Sequence, residues 1–333
     1  MNGNPFWLIS FLISTSLAFF FGAFLVEIAI TLFRIKKHRA RSILRLFPMF
    51  SLAVDFFLSK LSTGNLLNPL HCESCIQKLF LHFAPELKNY LTHHQIAWSR
   101  HLASQMPDSL LTTFFVVFST FSAVLFTRKI FQILSFHRIL HALIKQGDVC
   151  QRRIENKSLY SALQKQKVKI FVSDKIHSPM AAYLRTIIIP KNLTKQLSQD
   201  EFEAVVSHEL EHLRWKDPIL KLFCEIQSTL YWWVPTKWWL KRVDQDQEMS
   251  ADASIRRYHL DHTALASVLV KIAGSRAHNK PAAFCTFAAK ANSLLVRLQM
   301  TLDPLATPLQ KNLLSRAFFA LAAGSLILLS CLM

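Results

Sequence analysis

The sequence predicts an α-helical membrane protein carrying a mixed α+β domain, and three observations lead there. About half of the 333 residues are hydrophobic, 27 of them Phe, while Gly is scarce. Long uncharged runs stand near both termini and again from residue 110. The formal net charge is nevertheless +18, with basic clusters beside the apolar runs, as in membrane proteins with cationic flanks. A chain of this length holds one large domain or two modest ones.

Residues 5–26 (PFWLISFLISTSLAFFFGAFLV) and 110–127 (LLTTFFVVFSTFSAVLFT) contain no charge. Each is long enough as a helix to cross a hydrocarbon core of about 30 Å. The first span is expected over 5–33. The run from Ala317 to Met333 sits at the lower length limit and is read as the last span. A further candidate, 46–60, is interrupted by Asp55 and flanked by Arg45 and Lys60; alone, it could equally be interfacial or re-entrant.

Charge decides the topology. The residues before the first run (MNGN) are uncharged and a basic cluster follows it, so the run is an anchor with its N-terminus outside rather than a secretory signal. Arg34, Lys36, Lys37, Arg39, Arg41 and Arg45 form a cluster without an acidic member, Arg128 and Lys129 close the 110–127 run, and Lys311 and Arg316 precede the last one. All three clusters lie inside only if the chain crosses between residues 46 and 109, which makes 46–60 a span. The expected layout is an N-terminal membrane region, 1–127, with an external segment at 61–108; a cytoplasmic domain, 128–316; and a C-terminal transmembrane helix, 317–333. A lipid bilayer is thus an expected partner. Nucleic acid is not, because the flanking clusters account for much of the positive excess. The segment 61–108 is where an external protein partner could bind. Its "HCESC" (71–75) reads as a local disulfide or two free thiols, Cys72 and Cys75, since a metal site would want a second ligand pair nearby.

Inside the cytoplasmic part, residues 131–166 show helical spacing. The stretch "VKIFVSD" (168–174) alternates as a strand does, and "RTIIIP" (185–190) is a β-branched run stopped by proline; the latter could pair with an extended substrate or form a core strand. Ser198 and Glu201 make a capping box that starts a helix at about Gln199, and Pro218 ends it.

That helix carries HELEH (208–212). Side chains four apart stack on one helix face, so His208 and His212 can present nitrogens to one zinc ion about 2.0–2.1 Å away. Glu209 is displaced by about 100° around the axis, close enough to reach a water at the metal without being a ligand, and is the candidate general base. A catalytic zinc wants a third protein ligand. The stretch "DQDQEMSADASIRR" (244–257) supplies one in Glu248, and Asp252, one turn on, can accept a hydrogen bond from a ligand histidine's other ring nitrogen. One zinc per chain is expected.

HELEH and EMSAD, with 35 residues between His212 and Glu248, resemble the gluzincin arrangement of HExxH plus ExxxD. The chain is most similar to the membrane metallopeptidases of the beta-lactam sensor-transducer (BlaR/MecR) type. The likeness extends to "SPMAAYLRTIIIPKNL" (178–193), "HLRWKD" (212–217), "YWWVPTKWW" (231–239) and "LASVLVKIAG" (265–274). It implies about four transmembrane helices and a cytoplasmic α+β zincin-like (gluzincin) metallopeptidase domain in a bacterial inner membrane. It also implies a zinc endopeptidase that cleaves polypeptide substrates at the cytoplasmic face, in regulatory proteolysis. Two departures stand out. Met180 to Arg185 is short and glycine-free, and the chain ends after its last span, where the family's external penicillin-binding sensor would follow; a direct beta-lactam receptor is not expected. The alternatives are an HtpX-like quality-control protease and a signal transducer whose external segment senses a partner. HtpX-like enzymes carry membrane helices between the two motifs, whereas residues 213–247 hold Lys216, Lys221, Glu225, Lys237, Lys241 and Arg242. The tryptophans there suit either the headgroup level or packing against the metal helices.

Other residues rank lower. Tyr258, His259 and His262 could supply an oxyanion-stabilising donor, as could Arg256 and Arg257. Glu211 reads as an ordinary polar helix residue.

Overall fold

A computed structural model describes residues 6–63, 107–278, 295–299 and 301–302. The expected C-terminal span at 317–333, and Cys72 and Cys75 with nearly all of the external segment, lie outside the described residues. Helix α1 (Phe6–Leu32) carries no charge before Glu27 and has no polar face, the pattern of a helix enclosed by protein or lipid. Helix α2 (His38–Thr63) packs back against it. Helix α3 (Asp108–Gln146) is unbroken over 39 residues, about 58 Å at 1.5 Å per residue. Among the described residues, Phe11–Leu32 and Ser109–Gln146 are long and apolar enough to cross a membrane. The 46–60 candidate is helical within α2, but with Arg45, Asp55 and Lys60 along it α2 does not join that pair.

The helical region expected at 131–166 divides in two. α3 continues to Gln146, β1 (Asp148–Val149) follows, and α4 is Lys157–Gln166. The break has a local cause: the Gly147 N–H donates to the Leu143 carbonyl at 2.7 Å, and a Cβ at Gly147 would lie 2.6 Å from that oxygen. Only glycine turns there without a clash. α4 restarts where the Asn156 side chain accepts from Leu159 N–H at 3.0 Å.

The sheet has the order β1-β2-β4-β3, with β2 at Lys169–Ser173, β3 at Met180–Ala182 and β4 at Thr186–Pro190. β2 and β4 are parallel, and both edge strands are antiparallel to their neighbours. β4 is buried on both faces, which is why it reads as a continuous apolar run. Ile187 and Ile189 join the core under the motif helix, and Ile188 packs with Leu140 and Leu143 of α3. Flanked on both sides, β4 has no free edge, so residues 186–189 are a core strand and cannot take up a further one. The edge beside β4 is β3, three residues that carry no strand pattern of their own.

Short α5 (Lys191–Gln196) leads into α6 (Gln199–Arg214), then α7 (Asp217–Leu230), α8 (Thr236–Asp252), α9 (Ser254–Arg257) and α10 (His262–His278). A second core ties the N-terminal hairpin to this part: Phe19, Ala23 and Val26 of α1 and Met49 and Leu52 of α2 surround Trp239, Val243 and Tyr231. Trp233 Nε1 donates to Thr15 Oγ1 at 3.2 Å, and Trp232 packs on Phe118 and Phe121. The connector therefore divides: Trp232 and Trp233 pack on the apolar runs of α1 and α3, while Trp239 Nε1 donates to the Arg45 carbonyl and Arg242 lies over the Trp238 ring.

Candidate metal centre

α6 begins as its sequence dictates. Ser198 Oγ accepts from Glu201 N–H, and the Glu201 carboxylate accepts from Ser198 N–H at 2.7 Å. Asp200 and Glu201 sit in the first turn, where the helix dipole favours negative charge. Burial pushes the Glu201 carboxyl up, but its bonds to Lys271 and Ser267 outweigh that and bring its pKa down to about 2. Phe202, Val205, Val206 and Leu210 fill the core on one side, and Ala204 meets Ile255 and Leu265 on another. The remaining face carries His208, Glu209 and His212, each only 7–8 % exposed.

The two histidine rings sit edge to face with centroids 4.9 Å apart and their Nε2 atoms 3.3 Å apart. α8 crosses α6 and brings in Glu248, whose oxygens are 3.6 Å from His208 Nε2 and 3.7 Å from His212 Nε2. These three donors lie within 4.8 Å of one another. Two ligands bound at about 2.0–2.1 Å on a tetrahedral centre are themselves about 3.3–3.4 Å apart, so the donor set fits a zinc-sized ion.

The outer ring nitrogens face carboxylates. His208 Nδ1 lies 3.0 Å from Asp252 Oδ1, off the N–H axis. His212 Nδ1 is hydrogen-bonded to Asp217 Oδ2 at 2.9 Å. A carboxylate only accepts, so each Nδ1 carries the proton and each Nε2 keeps its lone pair for a cation. Asp217 reaches its place because Lys216 turns the chain through the left-handed region, φ 57°, and starts α7 directly. Within "HLRWKD" nothing but this turn marks the aspartate as a partner of His212.

Two arginines complete the shell, and neither was anticipated there. Arg297 Nε and Nη2 grip both oxygens of Asp252 at 2.8 Å, and its Nη1 is 3.0 Å from Glu248 Oε2. Arg39 Nη1, from α2, is 2.7 Å from Asp217 Oδ1. Burial pushes the Glu248 carboxyl up, but His208, Arg297 and His212 together hold it well below the carboxylate range. Asp252 is lowered likewise, Arg297 and His208 overcoming its burial. Burial pushes the His208 imidazole down, yet Asp252 and Glu248 outweigh it and carry its pKa up to about 10. A cluster this rich in carboxylate keeps a cation at His208, and a bound metal would replace that proton.

The lower-ranked residues fall elsewhere. The Tyr258 ring joins the core beneath α6; burial and the charge of Glu211 raise its pKa. His259 stands in a left-handed turn and His262 begins α10. Glu211 is buried, accepting from Trp215 Nε1 at 2.7 Å and from Arg257 Nη1 at 2.5 Å, so it anchors the end of α6. The guanidinium beside Glu248 is that of Arg297, which also feels the charge of Glu209.

Residues 12–301 match the family model of the BlaR1 peptidase M56. Among curated proteins, the chain is similar to the "Regulatory protein BlaR1" of Bacillus licheniformis, 34 % identical over 93 residues. That alignment covers 27 % of this chain and 15 % of the relative.

Proposed function

The chain belongs to the BlaR1 peptidase M56 family, and on that premise we propose that it is an integral membrane zinc endopeptidase that cleaves protein substrates at the cytoplasmic face, in regulatory proteolysis. The observation that carries the reading is the meeting of His208 and His212 Nε2 at 3.3 Å with Glu248 opposite both. His208, His212 and Glu248 would hold one zinc ion, and Asp252 and Asp217 would orient the two imidazoles. Zinc, when bound, supplies Lewis-acid polarisation and acidifies water. Glu209 takes the proton from the attacking water and passes it to the leaving amine. Arg297, held by Asp252 and Glu248, is a cation of the centre that feels the charge of Glu209, and its field would favour negative charge developing on the substrate carbonyl.

An extended polypeptide would fit along β3, the edge strand that packs against α6. Strand addition there would satisfy substrate backbone groups along the motif helix. The gluzincin domain at 128–316 would lie inside and the segment 61–108 outside, joined by about four spans, as the basic clusters favour.

The test is direct. Purified protein in detergent should hold about one zinc per chain and His212→Ala should lose it. Zinc retained in full by that variant refutes the ligand set. A reporter active only outside the cytoplasm should work after Ser104 and stay silent after Lys195; the reverse pattern would turn the domain outward.

A further inference from the structure

The His212 side of the centre is closed by a residue from outside the motif-bearing part of the chain. Arg39 stands in the first turn of α2, and its side chain is 11 % exposed against 3 % for Asp217. The two oxygens of Asp217 divide between partners: Oδ2 accepts from His212 Nδ1 at 2.9 Å, and Oδ1 meets Arg39 Nη1 at 2.7 Å. Arg39 is itself held in place, with its guanidinium 4.5 Å over the Trp215 ring and Nη2 donating to the Trp215 carbonyl at 3.4 Å. It is thus fastened to the very turn from which Asp217 starts α7. Arg45, of the same basic cluster, and the neighbouring His38 turn elsewhere: both contact Asp246, and Arg45 also holds Glu27.

Resting on the peptidase reading above, we propose that Arg39 is a positioning residue of the metal centre, through which the juxtamembrane helix α2 sets the grip of His212 on zinc. A carboxylate rotates readily about its last torsion. Asp217 is fixed because each oxygen has its own partner, and a fixed acceptor fixes the imidazole tautomer and plane. Without Arg39, Asp217 would be a buried charge lacking its contacting guanidinium, free to turn away from His212 or to recruit Lys221, which already feels its field.

The experiment measures zinc affinity of the full chain in detergent by competition with a chelator, beside the visible spectrum of the Co²⁺-loaded protein. Asp217→Asn should weaken zinc by roughly 10- to 100-fold and Arg39→Gln by about 3- to 10-fold, each with an altered Co²⁺ band. Because Arg39 acts through Asp217, the double variant should bind no worse than Asp217→Asn alone. Arg39→Lys should fall between wild type and Arg39→Gln. Met49→Ala loosens α2 without touching Asp217 and should lower the melting temperature while leaving zinc affinity unchanged. Wild-type affinity in folded Arg39→Gln, or full addition of the two losses in the double variant, overturns the proposal. Should Arg39→Gln not fold, Arg39→Lys with wild-type affinity and an unaltered Co²⁺ band overturns it. A wild-type chain that binds no zinc would instead refute the peptidase reading itself.

Discussion

The two histidines of the motif helix are served by matching chains, His208–Asp252–Arg297 and His212–Asp217–Arg39, that are built in opposite ways. On the His208 side the outer link is the aligned one: Arg297 grips Asp252 with two 2.8 Å bonds, while the inner contact sits off the N–H axis. On the His212 side the inner link is a well-formed 2.9 Å hydrogen bond, while the Arg39 contact lacks an aligned N–H. A bidentate pair gives direction as well as charge, whereas a misaligned one gives mostly charge. Arg297 also touches Glu248, and Arg39 does not touch a candidate ligand. The His208 chain therefore steers two ligands at once and the His212 chain steers one.

The largest expected effect spares both chains. Glu209→Gln should keep zinc and lose about 10²- to 10⁴-fold in cleavage of an unfolded test protein, since the amide cannot take the proton. Cleavage at the wild-type rate would make the site structural and the comparison one between two structural supports. Next come the carboxylates. Asp252→Asn and Asp217→Asn should each weaken zinc by roughly 10- to 100-fold, with activity partly restored by excess zinc; if one variant binds as wild type, the two chains are not equivalent supports. Acid should act at His208. The pKa of that imidazole is raised, so the proton competes with zinc at every pH below about 10. Affinity should accordingly fall by up to about tenfold per pH unit on acidification, and a flat profile between pH 6 and 8 would contradict this. The smallest effect sharpens the contrast between the arginines. Arg297→Lys should cost about 3- to 10-fold in zinc affinity, because an ammonium cannot reproduce the fork, and it should exceed the loss in Arg39→Lys, where charge is the main contribution. The reverse ranking would show that alignment is not what distinguishes the chains.

How much of this was legible depends on the separation of the partners. The capping box, the start of α6, the histidine pair and Glu248 with Asp252 follow from spacings within a turn or two of helix, where sequence distance and spatial distance track each other. β2 and β4 are equally plain, β2 by its alternation and β4 as a continuous β-branched run. β3 was not, because three residues show no periodicity and become a strand only by pairing with β4. Asp217 was within sight, five residues past His212, but its role depends on the left-handed turn at Lys216. Arg297 and Arg39 were out of reach. Among 39 basic residues, nothing local marks the two that the fold carries to Asp252 and Asp217. The cluster from Arg34 to Arg45 was read as a topological signal, yet Arg39 and Arg45 spend their charge on buried acids of α7 and α8.

One feature of the fold bears on mechanics. α3 runs from its apolar segment to Gln146 without a proline or glycine, so among its residues no joint is built in to absorb a twist. Its last turns seat Leu140 and Leu143 on Ile188, the strand next to the free edge. On the proposed topology, a stiff rod of about 58 Å with one end in lipid and the other in a sheet would act as a lever. A tilt of about 5° about its far end would swing the seated end by about 5 Å, more than the 3.3 Å that separates the two histidine nitrogens. A torque on the apolar half of that rod would then be delivered to the sheet along whose edge a substrate is proposed to lie.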